Sequence, residues 1–110
     1  MMTVLHTAED LEAAIEKSTE HPIVLFKHSA TCPFSARAQE QVADAKHDVD
    51  IYCIVVQYSK ELSDAIAEKT EVEHKSPQAI VLDNKEAVWS GWRHEIQRDK
   101  LIELAGTAKA

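Results

Sequence analysis

Two uninterrupted apolar runs, Ile23-Val24-Leu25-Phe26 and Ile51 to Val56, constrain this chain more than any other feature. Each has the length of a strand, and neither alternates with polar residues, as expected of strands covered on both faces. Between them Phe34, Ala38, Val42 and Ala45 recur at helical spacing, which predicts a helix reaching about His47. Strand, helix and strand in that order imply a parallel pair joined by a crossover, with the first run as a central strand.

The remaining segments extend this unit. Thr7-Ala8-Glu9-Asp10 has the form of a capped helix start, and Leu11, Ala14, Ile15 and Ser18 continue the helix over about residues 8–19, until His21-Pro22 breaks it. Ser59 is expected to cap a third helix with Leu62, Ala65, Ile66 and Lys69 on one face and Glu61 in its first turn. Pro77 precedes a short strand, Ala79 to Leu82. Residues 83–86, Asp-Asn-Lys-Glu, then read as a tight turn into Ala87-Val88-Trp89, making a hairpin.

A last helix over about 95–105 should turn Leu101, Leu104 and Ala105 inward, and the tail from Gly106 should fray. Thr3 to Leu5 is a candidate edge strand. The expected architecture is therefore α/β: a three-layer α/β/α sandwich with a mixed sheet of four to five strands and a C-terminal β-hairpin. The 110 residues suit a single domain.

Charge narrows the function. With 19 acidic against 12 basic side chains, a net charge of −7, and the basic residues scattered, neither nucleic acid nor a membrane is an expected partner. The six histidines form no HxH or HxxxH pair, and no metal site is expected. The start, MMTVLHTAED, lacks the basic and apolar regions of a signal peptide, and two distant cysteines do not form a disulfide framework. Both features point to a reducing, cytoplasmic setting.

The chemistry concentrates in KHSATCPFSARA, residues 27–38. Pro33 suits the first position of a helix, which makes Cys32 the capping residue. Its sulfur can accept hydrogen bonds from the backbone N–H groups of Phe34 and Ser35, in the positive field of the helix start, and both effects favour the nucleophilic thiolate. Ser35 stands where a C-x-x-C motif would carry its second thiol. Its hydroxyl can donate to a sulfur but cannot form a disulfide, so an internal dithiol cycle is ruled out while attack on an external disulfide is not.

Thr31, Pro33, Phe34 and Ser35 surround Cys32 as candidate substrate contacts. Lys27 and His28, at the end of the preceding strand, either add positive charge to the same loop or are solvated surface groups. Cys53, inside the second apolar run, reads as buried and inert. It lies about 13 Å from the carboxyl end of its strand, where active-site loops of such sheets gather, and a disulfide needs Cα atoms within about 7 Å.

A cysteine at the first strand-to-helix turn, followed by Ser76-Pro77 before a hairpin, resembles the thioredoxin-like superfamily over nearly the whole chain. KHSATCPFSARA together with VEHKSPQAIVLDNKEAVW is similar, more narrowly, to the small monothiol bacilliredoxins. The resemblance implies that Pro77 is a cis-proline facing Cys32 and that the Ser76 backbone offers hydrogen bonds to a bound thiol. It also implies an activity: Cys32 removes a low-molecular-weight thiol of the bacillithiol type from S-thiolated cytosolic proteins, and another small thiol then resolves it. No bound cofactor is implied.

Glutaredoxins are the nearest competing family. They cradle the glutathione carboxylate with a Gly-Gly pair after the hairpin, where this chain has only Ser90-Gly91-Trp92. Two other readings remain: an iron-sulfur carrier in which two chains share a cluster through Cys32 and small thiols, and a thioredoxin-like interaction domain without turnover. Trp89 and Trp92 are expected to pack the hairpin or wall the substrate. His74 and His94 flank the loops facing the site and either approach a bound thiol's carboxylates or are surface groups.

Overall fold

A computed structural model describes residues 1–106, which build one five-stranded sheet and four helices. The strands are β1 (Met2–Val4), β2 (Ile23–His28), β3 (Ile51–Val55), β4 (Gln78–Asp83) and β5 (Glu86–Trp92). Between and after them run α1 (Ala8–Lys17), α2 (Pro33–Ala45), α3 (Lys60–Thr70) and α4 (Arg98–Ala105). The sheet order is β1-β3-β2-β4-β5. β3 pairs in parallel with β1 and β2, and the β4–β5 hairpin closes the other side antiparallel.

Strand alternation divides the core in two. Val24 and Phe26 of β2 point to the face covered by α2 and α4, through Ala38, Val42, Ala45, Leu101 and Ala105. Ile23 and Leu25 point the other way, onto Leu11 and Ala14 of α1 and Leu62 and Ile66 of α3. Both apolar runs thus have no polar side because neither face of the central strands meets water. The expected three-layer sandwich is the observed one.

Local signals account for most element ends. Thr7 forms a capping box with Asp10: the Thr7 hydroxyl accepts from the Asp10 N–H at 3.1 Å, and the Asp10 carboxylate accepts from the Thr7 N–H at 3.1 Å. In the hairpin turn Asn84 and Lys85 both take positive φ, 51° and 70°. Such a two-residue turn matches the twist of the strands it joins. It is pinned to the end of α1, because the Asn84 N–H donates to the Ser18 carbonyl and the Lys85 N–H to the Ser18 hydroxyl, both at 2.8 Å.

Several expectations are corrected. Ser59 precedes α3 but makes no capping hydrogen bond through its side chain. The single helix expected from residue 95 is a short 3₁₀ turn (Arg93–Glu95) followed by α4, because buried Ile96 takes an extended conformation between them. Phe34 is 49% exposed, and Ser35, at 1%, takes the inward position at the start of α2. The tail expected to fray starts at Gly106, whose N–H still donates to the Ile102 carbonyl at 2.9 Å; positions 107–110 lie outside the described residues.

Candidate active site

The Cys32 loop leaves the sheet at the carboxyl end of β2 and enters α2 through Pro33. Three hydrogen bonds from outside the loop shape it. The Gln57 side chain accepts from the Ala30 N–H at 3.1 Å and donates to the Ser29 hydroxyl at 2.6 Å and the Thr31 hydroxyl at 3.3 Å. Gln57 follows β3, so the second parallel strand clamps the loop of the first. Thr31 is therefore held through its hydroxyl at the exposed rim beside the cysteine.

Ser35 is buried under this loop, and its hydroxyl oxygen accepts from the Ser29 N–H at 3.0 Å. The hydroxyl hydrogen stays available to the Cys32 sulfur. The position of a resolving thiol thus holds a group that fastens the loop and supports the thiolate at once.

Cys32 is partly exposed and free. Its sulfur closes no capping hydrogen bond at the start of α2, a departure from the expected cap. The Ser35 amide nevertheless pulls the thiol pKa below its ordinary value; burial opposes it, and the Phe34 amide, the Ser35 hydroxyl and the Arg93 guanidinium add smaller pulls in the same direction as the Ser35 amide. Cys53 behaves oppositely. It is buried in β3 beside Phe26, its thiol donates to the Thr3 carbonyl at 3.5 Å, and burial pushes its pKa up.

These environments predict a large difference in labelling. Iodoacetamide at neutral pH should modify Cys32 on the order of a hundredfold faster than Cys53 in the folded protein. The Cys32 rate should also reach its plateau at a lower pH than that of a free thiol. Equal rates at the two cysteines, followed by peptide mass, would overturn the assignment of the nucleophile.

The positive charge near Cys32 comes from a residue other than those expected. Lys27 is fully buried and lies on the sheet face opposite α2, with its ammonium 3.0 Å from His74 Nδ1. A side chain with no exposed surface offers no contact to a substrate, and strand alternation is the reason it points away. His28 does point to the α2 face, where its ring stacks on Phe26 at 5.2 Å, but burial lowers its pKa and favours the neutral imidazole. Neither is a solvated surface group of the kind anticipated.

Arg93 takes that role. Its guanidinium lies 4.4 Å from the centre of the Phe34 ring and 4.3 Å from that of Trp92. Its backbone N–H donates to the Pro77 carbonyl at 3.2 Å. The Ser76–Pro77 peptide bond is cis. Gln78 pairs with Lys27 at the carboxyl end of β2, which sets Pro77 level with His28 and beside the cysteine loop. Ser76 is partly buried, and no partner for its hydroxyl is found among the described residues.

The two tryptophans divide their roles. Trp89 packs on the core face and covers Gly91, where an added Cβ would come within 2.3 Å of its ring. Trp92 sits between Arg93 and Lys75, whose ammonium is 4.9 Å from its ring centre. His94 lines a cleft beside α2, and His74 caps Lys27. Sequence reasoning did not find Gln57 or Arg93, because their contacts with this loop span the fold and leave no local spacing to read.

A family model for the monothiol bacilliredoxin BrxC matches residues 3–101. The chain belongs to that family. A solved structure provisionally described as an oxidoreductase with a thioredoxin fold is 36% identical, with a TM-score of 0.84, covering 94% of this chain and 92% of that one. The thioredoxin of Fasciola hepatica is 23% identical, with a TM-score of 0.71 over 93% of this chain and 94% of that one. The oxidised thioredoxin of Plasmodium falciparum, at 15% identity and a TM-score of 0.70, covers 94% of this chain and 96% of its own. The last two likenesses establish the thioredoxin fold alone. Family and fold together make this a bacilliredoxin of the thioredoxin-fold oxidoreductases, with thiol redox chemistry as its function.

Proposed function

We propose that this bacilliredoxin removes a low-molecular-weight thiol of the bacillithiol type from mixed disulfides on cytosolic proteins, using Cys32 as its only redox-active sulfur. The Cys32 thiolate attacks the small-thiol sulfur of the mixed disulfide. That S–S bond breaks, and the substrate cysteine leaves as a thiolate that takes a proton from water. Cys32 now carries the small thiol. A second small thiol, as thiolate, attacks the sulfur of that adduct, regenerating the Cys32 thiolate and leaving as the symmetrical disulfide. Over the cycle the mixed disulfide is the oxidant and the second small thiol the reductant: the protein cysteine is released as a thiol, and the two small thiols end joined as a disulfide.

The observation that supports a single-thiol cycle most directly is the buried Ser35 hydroxyl at the resolving position, with Cys53 sequestered in β3. Family membership supports the choice of small thiol. Intact mass after incubation with oxidised bacillithiol and, separately, oxidised glutathione is the test. An adduct with bacillithiol on Cys32 is expected, and none with either disulfide would overturn the proposal.

A variant tests the missing sulfur. Ser35→Cys restores two thiols at C-x-x-C spacing, so after attack on a mixed disulfide the introduced thiol should displace the small thiol and close an internal disulfide with Cys32. The expected result is a protein lighter by two hydrogens that needs a dithiol reductant for turnover. A stable small-thiol adduct on that variant would contradict it.

A further inference from the structure

Between α2, from Phe34 two residues after Cys32 to Gln41, and the 3₁₀ turn after β5 lies a cleft of about 390 Å³. Phe34, Arg37 and Gln41 form its α2 wall, and Arg93, His94 and Gln97 the opposite one. The chain as a whole carries a net charge of −7, yet two guanidiniums meet here, with Glu40 the one carboxylate among the lining residues. Neither Arg37 nor Arg93 makes an ion pair among the described residues, where seven such pairs occur elsewhere.

Arg93 is also held in place. Its φ is +55°, a left-handed conformation that costs a non-glycine residue of order 1 kcal/mol and persists only when its surroundings enforce it. The surroundings are the hydrogen bond from its N–H to the Pro77 carbonyl and the two rings that flank the guanidinium. Both rings lie within 4.4 Å of the guanidinium carbon, and none of its N–H groups makes a hydrogen bond among the described residues, so they remain for an acceptor such as a carboxylate.

We infer that this cleft binds the carboxylate-bearing part of the small thiol joined to Cys32, with Arg93 as the principal contact and Arg37 as a second cation. The inference rests on the single-thiol reading above and specifies its substrate class: small thiols that carry an anionic carboxylate. The contact orients the adduct sulfur toward the incoming thiol. Arg93 thereby serves two ends, since its charge also favours the Cys32 thiolate.

The test uses two probes that differ only in charge, mixed disulfides of a model protein with N-acetylcysteine and with N-acetylcysteine amide. Arg93→Gln should slow release of both, through a smaller thiolate fraction at Cys32. The carboxylate probe should suffer a further loss of about tenfold, the size expected for a charge-assisted hydrogen bond. Comparing each probe's wild-type to variant ratio cancels the difference in their own thiol acidities. Arg37→Gln, on an exposed helix position, should act in the same direction to a smaller extent and carries the test should Arg93→Gln not fold. Equal losses for both probes would overturn the carboxylate site and leave the single-thiol cycle standing. Wild-type protein inert toward both probes would overturn the carboxylate site as stated, and wild-type protein inert toward a bacillithiol mixed disulfide as well would overturn the cycle.

Discussion

Cys32→Ser should reduce release of a small thiol from a model mixed disulfide to the uncatalysed rate, a loss of roughly three orders of magnitude or more. The serine hydroxyl keeps the shape of the helix start but is not ionised near neutral pH, so the same amides and guanidinium that favour a thiolate have nothing to activate. Cys53→Ser should leave turnover unchanged. Its cost is one of stability, about 1 kcal/mol for placing a hydroxyl in an apolar strand, eased by the Thr3 carbonyl already facing that position. Parallel assays of the two variants decide the matter. If Cys53→Ser stops turnover, or removes an oxidised internal form, a distant resolving thiol exists and the single-thiol cycle is wrong.

Lys27→Met should make the protein more stable at neutral pH, by about 1–3 kcal/mol. The Lys27 ammonium has no solvent exposure, and burial pushes its pKa down to about 8, with partial compensation from Asp64. The unfolded chain holds that proton with an ordinary lysine pKa near 10.4, and therefore binds more protons than the folded chain between about pH 8 and 10.4. Stability must rise with pH across that window in the wild type, because the cost of the buried charge is complete below about pH 8 and gone above the unfolded value. Methionine has similar length and no charge, so its variant should lack this slope.

Lys60 and Lys69, raised by their pairing with Asp64 and Glu12, titrate in both proteins and drop out of the difference. Urea denaturation at pH 7, 9 and 10 measures it. A variant that is less stable at pH 7 and keeps the wild-type slope would show that Lys27 is not the strained group. His74 loses a hydrogen-bond partner in this change, at little cost, because its residue is exposed.

The amino-acid sequence by itself determined those features whose causes are local. Ile23 to Phe26 and Ile51 to Ile54 are strand segments buried on both faces because their side chains are predominantly apolar without polar alternation. Thr7 with Asp10, Pro33 after Cys32, and Asn84 in the hairpin turn act over three or four residues, and each marks the boundary expected of it. The nucleophile was legible for the same reason: a cysteine before a helix-starting proline feels that helix whatever the rest of the chain does.

Tertiary structure decided which charged and polar groups meet that cysteine. The phase of α2 depended on Ser29, whose N–H draws Ser35 inward and leaves Phe34 outside to cover Arg93. Arg93 and not Lys27 supplies the charge beside Cys32, because strand alternation sends the lysine to the far face of the sheet. The end of β5, far along the chain from the loop, delivers the other. Gln57 reaches the loop only because β3 lies parallel to β2, which sets both carboxyl ends at the same edge. Such contacts depend on register and on elements distant in the chain, and a hydrogen bond or a stacked guanidinium imposes no periodicity on the residues that make it.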